Sequence, residues 1–420
     1  MTSINIRKLS HSEMDLYRKP LLPETWSSFP VDKDIDTQQL RKFLQRDLDR
    51  IRSGAEKDPF SNSITMLALD ISRRLEKNKL NYSALEALIQ RLAVGSVGFR
   101  ADRLRKYIGE TKEKSNENNL KNIIKELAFS KNQKLRPFEH FKEIISKDIF
   151  GIVLTAHPTF GMTPKMMIDV AKLSTLTDDN GNKISDSRIK KIIKEIFKTE
   201  QRPEKNITLD FEHKLSIIAL KNLQNSITKF YEIIIQVSRD LYPNDYHLIR
   251  PKILSLHTWV GYDVDGRGDI FWNNSFSKRI KVKLEQLELY SNKISILQKK
   301  KNDEFVAPIL KAIRIEIDTA IKHNKKIFNV FSDKDFFNHL ERLESISMYM
   351  FKNKKHLLTN DKLLVEKLDK IIKHYSSKNT KVSKSLCNDF LLFRIEIENF
   401  GLGLGRTQIR LNANQLNNAI

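Results

Sequence analysis

The chain has 420 residues, 40% hydrophobic and 30% charged, a balance that suits a globular protein of two or three ordinary domains. Cys387 is the only cysteine, which excludes an internal disulfide, a Cys-based zinc site and thioredoxin-like chemistry. The formal charge of +22 opens three partner classes: nucleic acid, an anionic membrane or an acidic substrate.

The charge by itself selects none of them. Many lysines stand in mixed runs with Glu on predicted solvated helix faces, as at Lys190, Lys191, Lys194 and Glu195. The densest run, Lys299 to Lys301, has no interleaved aromatics, so nucleic acid is not the expected partner. Phosphorylated small molecules would also benefit from such a field. The N-terminus lacks a signal-peptide core and no eighteen apolar residues run together, so the expectation is a cytoplasmic protein that does not enter a membrane.

From Asp36 to about Lys131 the pattern is helical. Leu40, Phe43, Leu44, Leu48 and Ile51 share one face, and Gly54 stops that helix. Ile64, Leu67, Ala68, Ile71 and Leu75 mark a second helix. Ser83 and Glu86, in capping-box spacing, open a third. Arg100–Ile108 and Leu120–Ala128 suggest two more. Residues 1–148 thus read as an N-terminal helical region, and 149–420 as a second region built on strands with long helical insertions.

Ile152, Val153 and Leu154 form a short apolar run that predicts a buried strand. His157 comes where the strand must stop, because Pro158 has no N–H to give a sheet and holds His157 extended. A helix pattern resumes at Lys165, Met166, Met167 and Val170. An imidazole at a strand's C-terminal end is where α/β proteins place chemistry, but on spacing alone a structural, hydrogen-bonded histidine is the preferred reading. Asp178 to Lys183 reads as a surface turn and not a calcium loop, since the later bidentate Glu is missing.

A helix is predicted over Ser185–Phe197, and one long helix from Asp210 to about Leu241, ended by Pro243. The next strand, Ile253 to Val260, runs into a polar loop of Gly261, Tyr262, Asp263, Val264, Asp265, Gly266, Arg267, Gly268 and Asp269. Helices follow to about Asn399, and a last strand is expected over Gly401 to Leu411. Three strands in a helical chain, each followed by polar residues, are the pattern of an α-rich α/β protein: part of a barrel with very large helical insertions.

Val153–Thr159 (V-L-T-A-H-P-T) resembles the histidine motif of phosphoenolpyruvate carboxylases. The loop after Trp259 is similar to that family's G-G-D-R-D-G-N-P segment, Thr199, Glu200, Arg202 and Pro203 to its T-D-E…R-P segment, and Ile409–Arg410 to its D-I-R-Q strand. The resemblance implies a (β/α)8 barrel surrounded by helices, with three of the eight strands in this chain. It implies addition of bicarbonate to phosphoenolpyruvate, giving phosphate and oxaloacetate for the tricarboxylic acid cycle. Bicarbonate attacks the phosphate to form carboxyphosphate and an enolate, and the motif histidine, here His157, assists decarboxylation before the enolate captures CO₂. A positioned imidazole suits that proton transfer, and barrel walls keep water from the enolate. Asp263, Asp265, Arg267 and Arg410 are then expected at the substrate. Mg²⁺ or Mn²⁺ and a homotetramer are implied too, with the metal carboxylates in a C-terminal half that follows the segments seen here.

The departures are specific. Phe160 replaces the Glu or Gln that follows the motif, and Val264 replaces an arginine associated with the substrate phosphate. Arg267, three positions on, has the reach to substitute for it, or else pairs with Asp263 or Asp269 on the surface. The glycine- and arginine-rich phosphate loops of the family have no counterpart after Asn412. The expectation is the N-terminal portion of a carboxylase, as a fragment, a truncated gene product or one piece of a split enzyme. The alternative is a non-catalytic, carboxylase-derived protein that binds a ligand or partner.

Overall fold

The structure, a computed structural model, describes the chain from residue 113 onward except 156–162, 179–180, 199–206, 266–267, 269, 334–338, 379, 412 and 420; before 113 it describes parts of 46–106. The elements in chain order are α1 (Ser63–Glu76), α2 (Glu113–Ala128), α3 (Phe138–Ile145), β1 (Phe150–Leu154), α4 (Pro164–Thr175), α5 (Asp186–Lys198) and α6 (Leu209–Leu241). Then come β2 (Leu254–Thr258), α7 (Trp272–Gln298), α8 (Val306–Phe331), α9 (Leu340–Lys352), α10 (Lys362–Ser376), α11 (Lys381–Phe400), β3 (Arg406–Thr407) and α12 (Ala413–Ala419). The chain is a helix-rich α/β protein with a small parallel sheet, and no helix among the described residues is long and apolar enough to cross a membrane.

Two compact units result. The first combines residues 1–111 with 159–205. Its described core joins Met166, Val170 and Leu173 of α4 to Ile192 and Ile196 of α5. Thr163 starts α4, its side chain accepting the Met166 N–H at 3.3 Å, with Pro164 in the first turn, where its missing N–H costs nothing. Leu176 closes the helix in the left-handed conformation, and Arg105 donates to the carbonyls of Leu173 (2.6 Å) and Ser174 (3.3 Å), which have no partner within the helix. The turn predicted at 178–183 is present: Asp178 spends its carboxylate on the Asn182 N–H at 2.8 Å.

The second unit, 112–158 with 206–420, is organised on α6. Thr208 caps α6 by accepting from the Phe211 N–H at 3.2 Å, and Asp210 and Glu212 favour the positive end of the helix dipole. Its buried stripe, Leu220, Gln224, Ile227, Tyr231 and Ile234, recurs at three to four residues and packs on α2, α11 and β2. α7 with α8, and α10 with α11, form the two main helix pairs of the same core.

The strands run parallel in the order β1-β2-β3. Register sets Gly151 beside Ser255, Val153 beside His257, and His257 beside Arg406. One face, with Ile152, Leu154, Leu254 and Leu256, joins the helical core. Tyr231 of α6 ties it down by donating to the Leu254 carbonyl at 3.1 Å.

Two expectations are corrected. β1 is not buried: it is an edge strand, with Phe150 59% and Val153 42% exposed. An apolar β-branched run reads the same at an edge as in the middle of a sheet. The last strand does not begin at Gly401. Helix α11 continues to Phe400, and residues 401–405 turn before a two-residue ladder. Buried amides hold that turn: Gln286 Oε1 accepts from the Leu404 N–H (3.0 Å), and Gln224 donates to the Leu404 carbonyl (2.9 Å). Gly405 brings β3 against β2 so closely that a Cβ there would lie 2.9 Å from the Leu256 carbonyl oxygen.

Candidate active site

Because the strands are parallel, their C-terminal ends share one edge of the sheet, and the candidate residues gather there. β2 ends in a locked corner. The Thr258 hydroxyl donates to the Leu154 carbonyl of β1 (3.3 Å) and accepts the Val260 N–H (3.2 Å). Gly261 then turns at φ +90°, a conformation that favours glycine, and Ser275 of α7 donates to its carbonyl at 3.0 Å. Tyr262 is buried behind the turn, and burial pushes its phenol up to about 12.

The third segment pairs with this corner beyond β3. Gln408 donates its N–H to the Thr258 carbonyl at 2.9 Å, Arg410 N–H to Tyr262 at 3.1 Å, and Val264 N–H to the Arg410 carbonyl at 3.1 Å. This ladder aligns Asp263 with Arg410. The Arg410 Nη1 donates to Asp263 Oδ2 at 3.4 Å, and the guanidinium sits 5.0 Å from the centre of the Trp259 ring. Asp263 Oδ1 is buried and meets no donor among the described residues, an acceptor left over in a structure that normally satisfies such atoms. Asp265, next along, is exposed.

Of the residues predicted for the site, the structure therefore brings Asp263 and Arg410 into contact and leaves Asp265 on the surface beside them. His157 and Arg267 lie outside the described residues, as do Phe160, Thr199, Glu200, Arg202 and Pro203. Asp263 has Arg410 as its described partner.

The sequence reading passed over the sheet's open face. Ser255 and His257 alternate onto it, and Ser255 Oγ lies 2.9 Å from His257 Nε2. Gln408 Nε2 lies 3.4 Å from the other ring nitrogen. Arg406 donates to Asp148 at 2.7 Å, bridging from β3 to the approach to β1. The signal was available: Ser255 and His257 are two apart in a predicted strand and so share a face.

No protein-family model matches the sequence, and no curated protein matches it.

Chemically, the edge offers a partly exposed guanidinium held by one carboxylate and one aromatic face, an arrangement that can exchange the carboxylate for a ligand's phosphate or carboxylate. Among the described residues no three His, Cys, Asp or Glu side chains converge as a metal site requires, and Asp263 Oδ2 is taken by Arg410.

Proposed function

We propose that this chain supplies the histidine turn and three adjacent strand ends of a phosphoenolpyruvate carboxylase, within a (β/α)8 barrel whose further strands pair beside β1 and β3. The observation that carries this reading is the Arg410–Asp263 pair, which joins the second and third motif segments across 147 residues at the C-terminal edge of a parallel sheet. In barrels that edge holds the active site. The barrel itself is supported by the sheet's two faces. One is covered by helices, the other is open and polar, and the apolar edge at Phe150 and Val153 suits a neighbouring strand.

On this reading His157 takes the carboxyl proton of carboxyphosphate, and Arg410, with Arg267, holds the anionic groups of the substrate. Mg²⁺ or Mn²⁺, when bound, would stabilise the enolate oxygen. A non-catalytic, ligand-binding protein is the second reading, and Val264 in place of the family's arginine favours it.

One assay separates the two. Bicarbonate-dependent formation of oxaloacetate from phosphoenolpyruvate is expected, and His157→Ala should abolish it while binding of labelled phosphoenolpyruvate persists. Binding without oxaloacetate in the unmodified protein would establish the second reading. Neither binding nor turnover would refute both.

A further inference from the structure

The C-terminal half of α8 and the short turn Lys354–His356, distant in sequence, meet in space. Their rings make the contact. His323 stacks on His356 with centroids 5.3 Å apart and planes at 18°. The Tyr349 hydroxyl lies 2.7 Å from His323 Nδ1, and Lys326 sits 4.1 Å from the Tyr349 ring centre.

Exposed lysines come from both segments: Lys322, Lys325 and Lys326 from α8, and Lys352, Lys354 and Lys355 from the end of α9 and the turn. Lys325 pairs with Glu288 at 3.6 Å. The others have no acidic partner among the described residues. Phe351, in the last turn of α9 beside Lys352, is 78% exposed, a whole phenyl ring in water with no packing contact among the described residues.

We propose that this patch binds single-stranded nucleic acid, with the lysines on the phosphates and Phe351 as a stacking platform for a base. A flexible polyanion is the partner that uses both features at once: phosphates at short intervals, and bases free to stack because they are unpaired. A membrane surface fits less well. Glu344 is exposed one heptad before Phe351 and so lies on the same side of α9. A bilayer plane would press Glu344 against anionic headgroups, whereas a single strand can cross the lysine-rich end alone. The proposal is independent of the carboxylase reading. The stretch Tyr349 to His356 is aromatic and basic by itself, but only the tertiary contact adds the lysines of α8 to it.

The test is fluorescence anisotropy with a labelled oligouridylate of about 20 nucleotides, long enough for one binding site, using the full chain. Binding that weakens with salt is expected. Lys326→Gln/Lys354→Gln/Lys355→Gln should lose at least about tenfold in affinity and flatten the salt dependence by about two counter-ions. An equal charge change at the other end of α8 and just before it, Lys299→Gln/Lys301→Gln/Lys311→Gln, about two Debye lengths away along the helix axis, should cost less than about twofold. Phe351→Ala should lose about fivefold with the salt slope unchanged, since stacking is not ionic. All these side chains are exposed, and circular dichroism checks that each variant is folded. The proposal is overturned if the two triple variants lose equally, if Phe351→Ala has no effect, or if phosphatidylserine vesicles are bound while the oligonucleotide is not.

Discussion

The two faces of the small sheet are made by alternate residues of the same strands, and they do opposite work. Leu254 and Leu256 sink into a core built by α6 and α11, while Ser255 and His257, one position away, stand among Arg406, Gln408 and Asp148 on the open side. The covered face carries stability. The other face and the strand ends beyond it hold polar groups in place, with His257 half-buried and Ser255 beneath it only 5% exposed. A strand's period of two therefore lets five residues of β2 serve packing and chemistry together.

The sharpest way to break this contrast is on the covered side. Leu256 is 1% exposed, and Leu256→Ala should cost about 4 kcal/mol, from lost burial plus the cavity left behind. Urea denaturation measures it, and a loss under about 1 kcal/mol would mean that the sheet is not anchored to the helices as described.

The second effect lies behind the corner after β2. His213 of α6 is buried, its Nε2 without a partner among the described residues and its Cδ2 3.6 Å from where a Cβ on Gly261 would stand. Burial, and then the charge of Lys281, lower its imidazole from 6.5 to about 4. As the pH falls through 6.5 the unfolded chain thus takes up a proton that the folded protein refuses until about 4. Its contribution is fully present above pH 6.5 and is lost as the pH falls to about 4, on the order of 3 kcal/mol. Denaturation midpoints measured across that window should fall, and His213→Gln should flatten the fall.

On the open side the effects should move from stability to binding. Arg410 is half-exposed, so Arg410→Ala should change stability by less than about 1 kcal/mol. On the proposed carboxylase reading, the KM for phosphoenolpyruvate should nevertheless rise at least about tenfold, as removal of a charge-assisted bond to an anion predicts. A stability loss with KM unchanged would reduce the Arg410–Asp263 pair to a structural tie. The smallest effect belongs to the edge. Val153→Thr should lie within about 0.5 kcal/mol if β1 is as open as it stands here, and a larger loss would reveal a covering strand.

Local chemistry was legible in the sequence wherever a helix stripe or a cap decided the outcome. The long helix expected over 210–241 is α6, Leu209–Leu241, because its apolar period and the Pro243 stop are both local. Helices were likewise readable at Ser63–Glu76, Pro164–Thr175 and Asp186–Lys198, and the cores of β1 and β2 fell inside their predicted runs. Asp263 and Arg410 were singled out individually. Their contact was not readable, since it depends on a parallel ladder closing over 147 residues.

What the sequence determined by itself, then, is the set of elements and the chemical character of the turns that follow them. Those are written in spacing, proline and glycine within a few residues. Only the tertiary structure decided that β1 is an exposed edge, that His257 and Ser255 share an open face with Gln408, and that two lysine-bearing segments meet through the rings of His323 and His356. Each of these rests on which distant partner a residue meets, and the free energy that selects the partner comes from burying the whole core at once, which no local pattern contains.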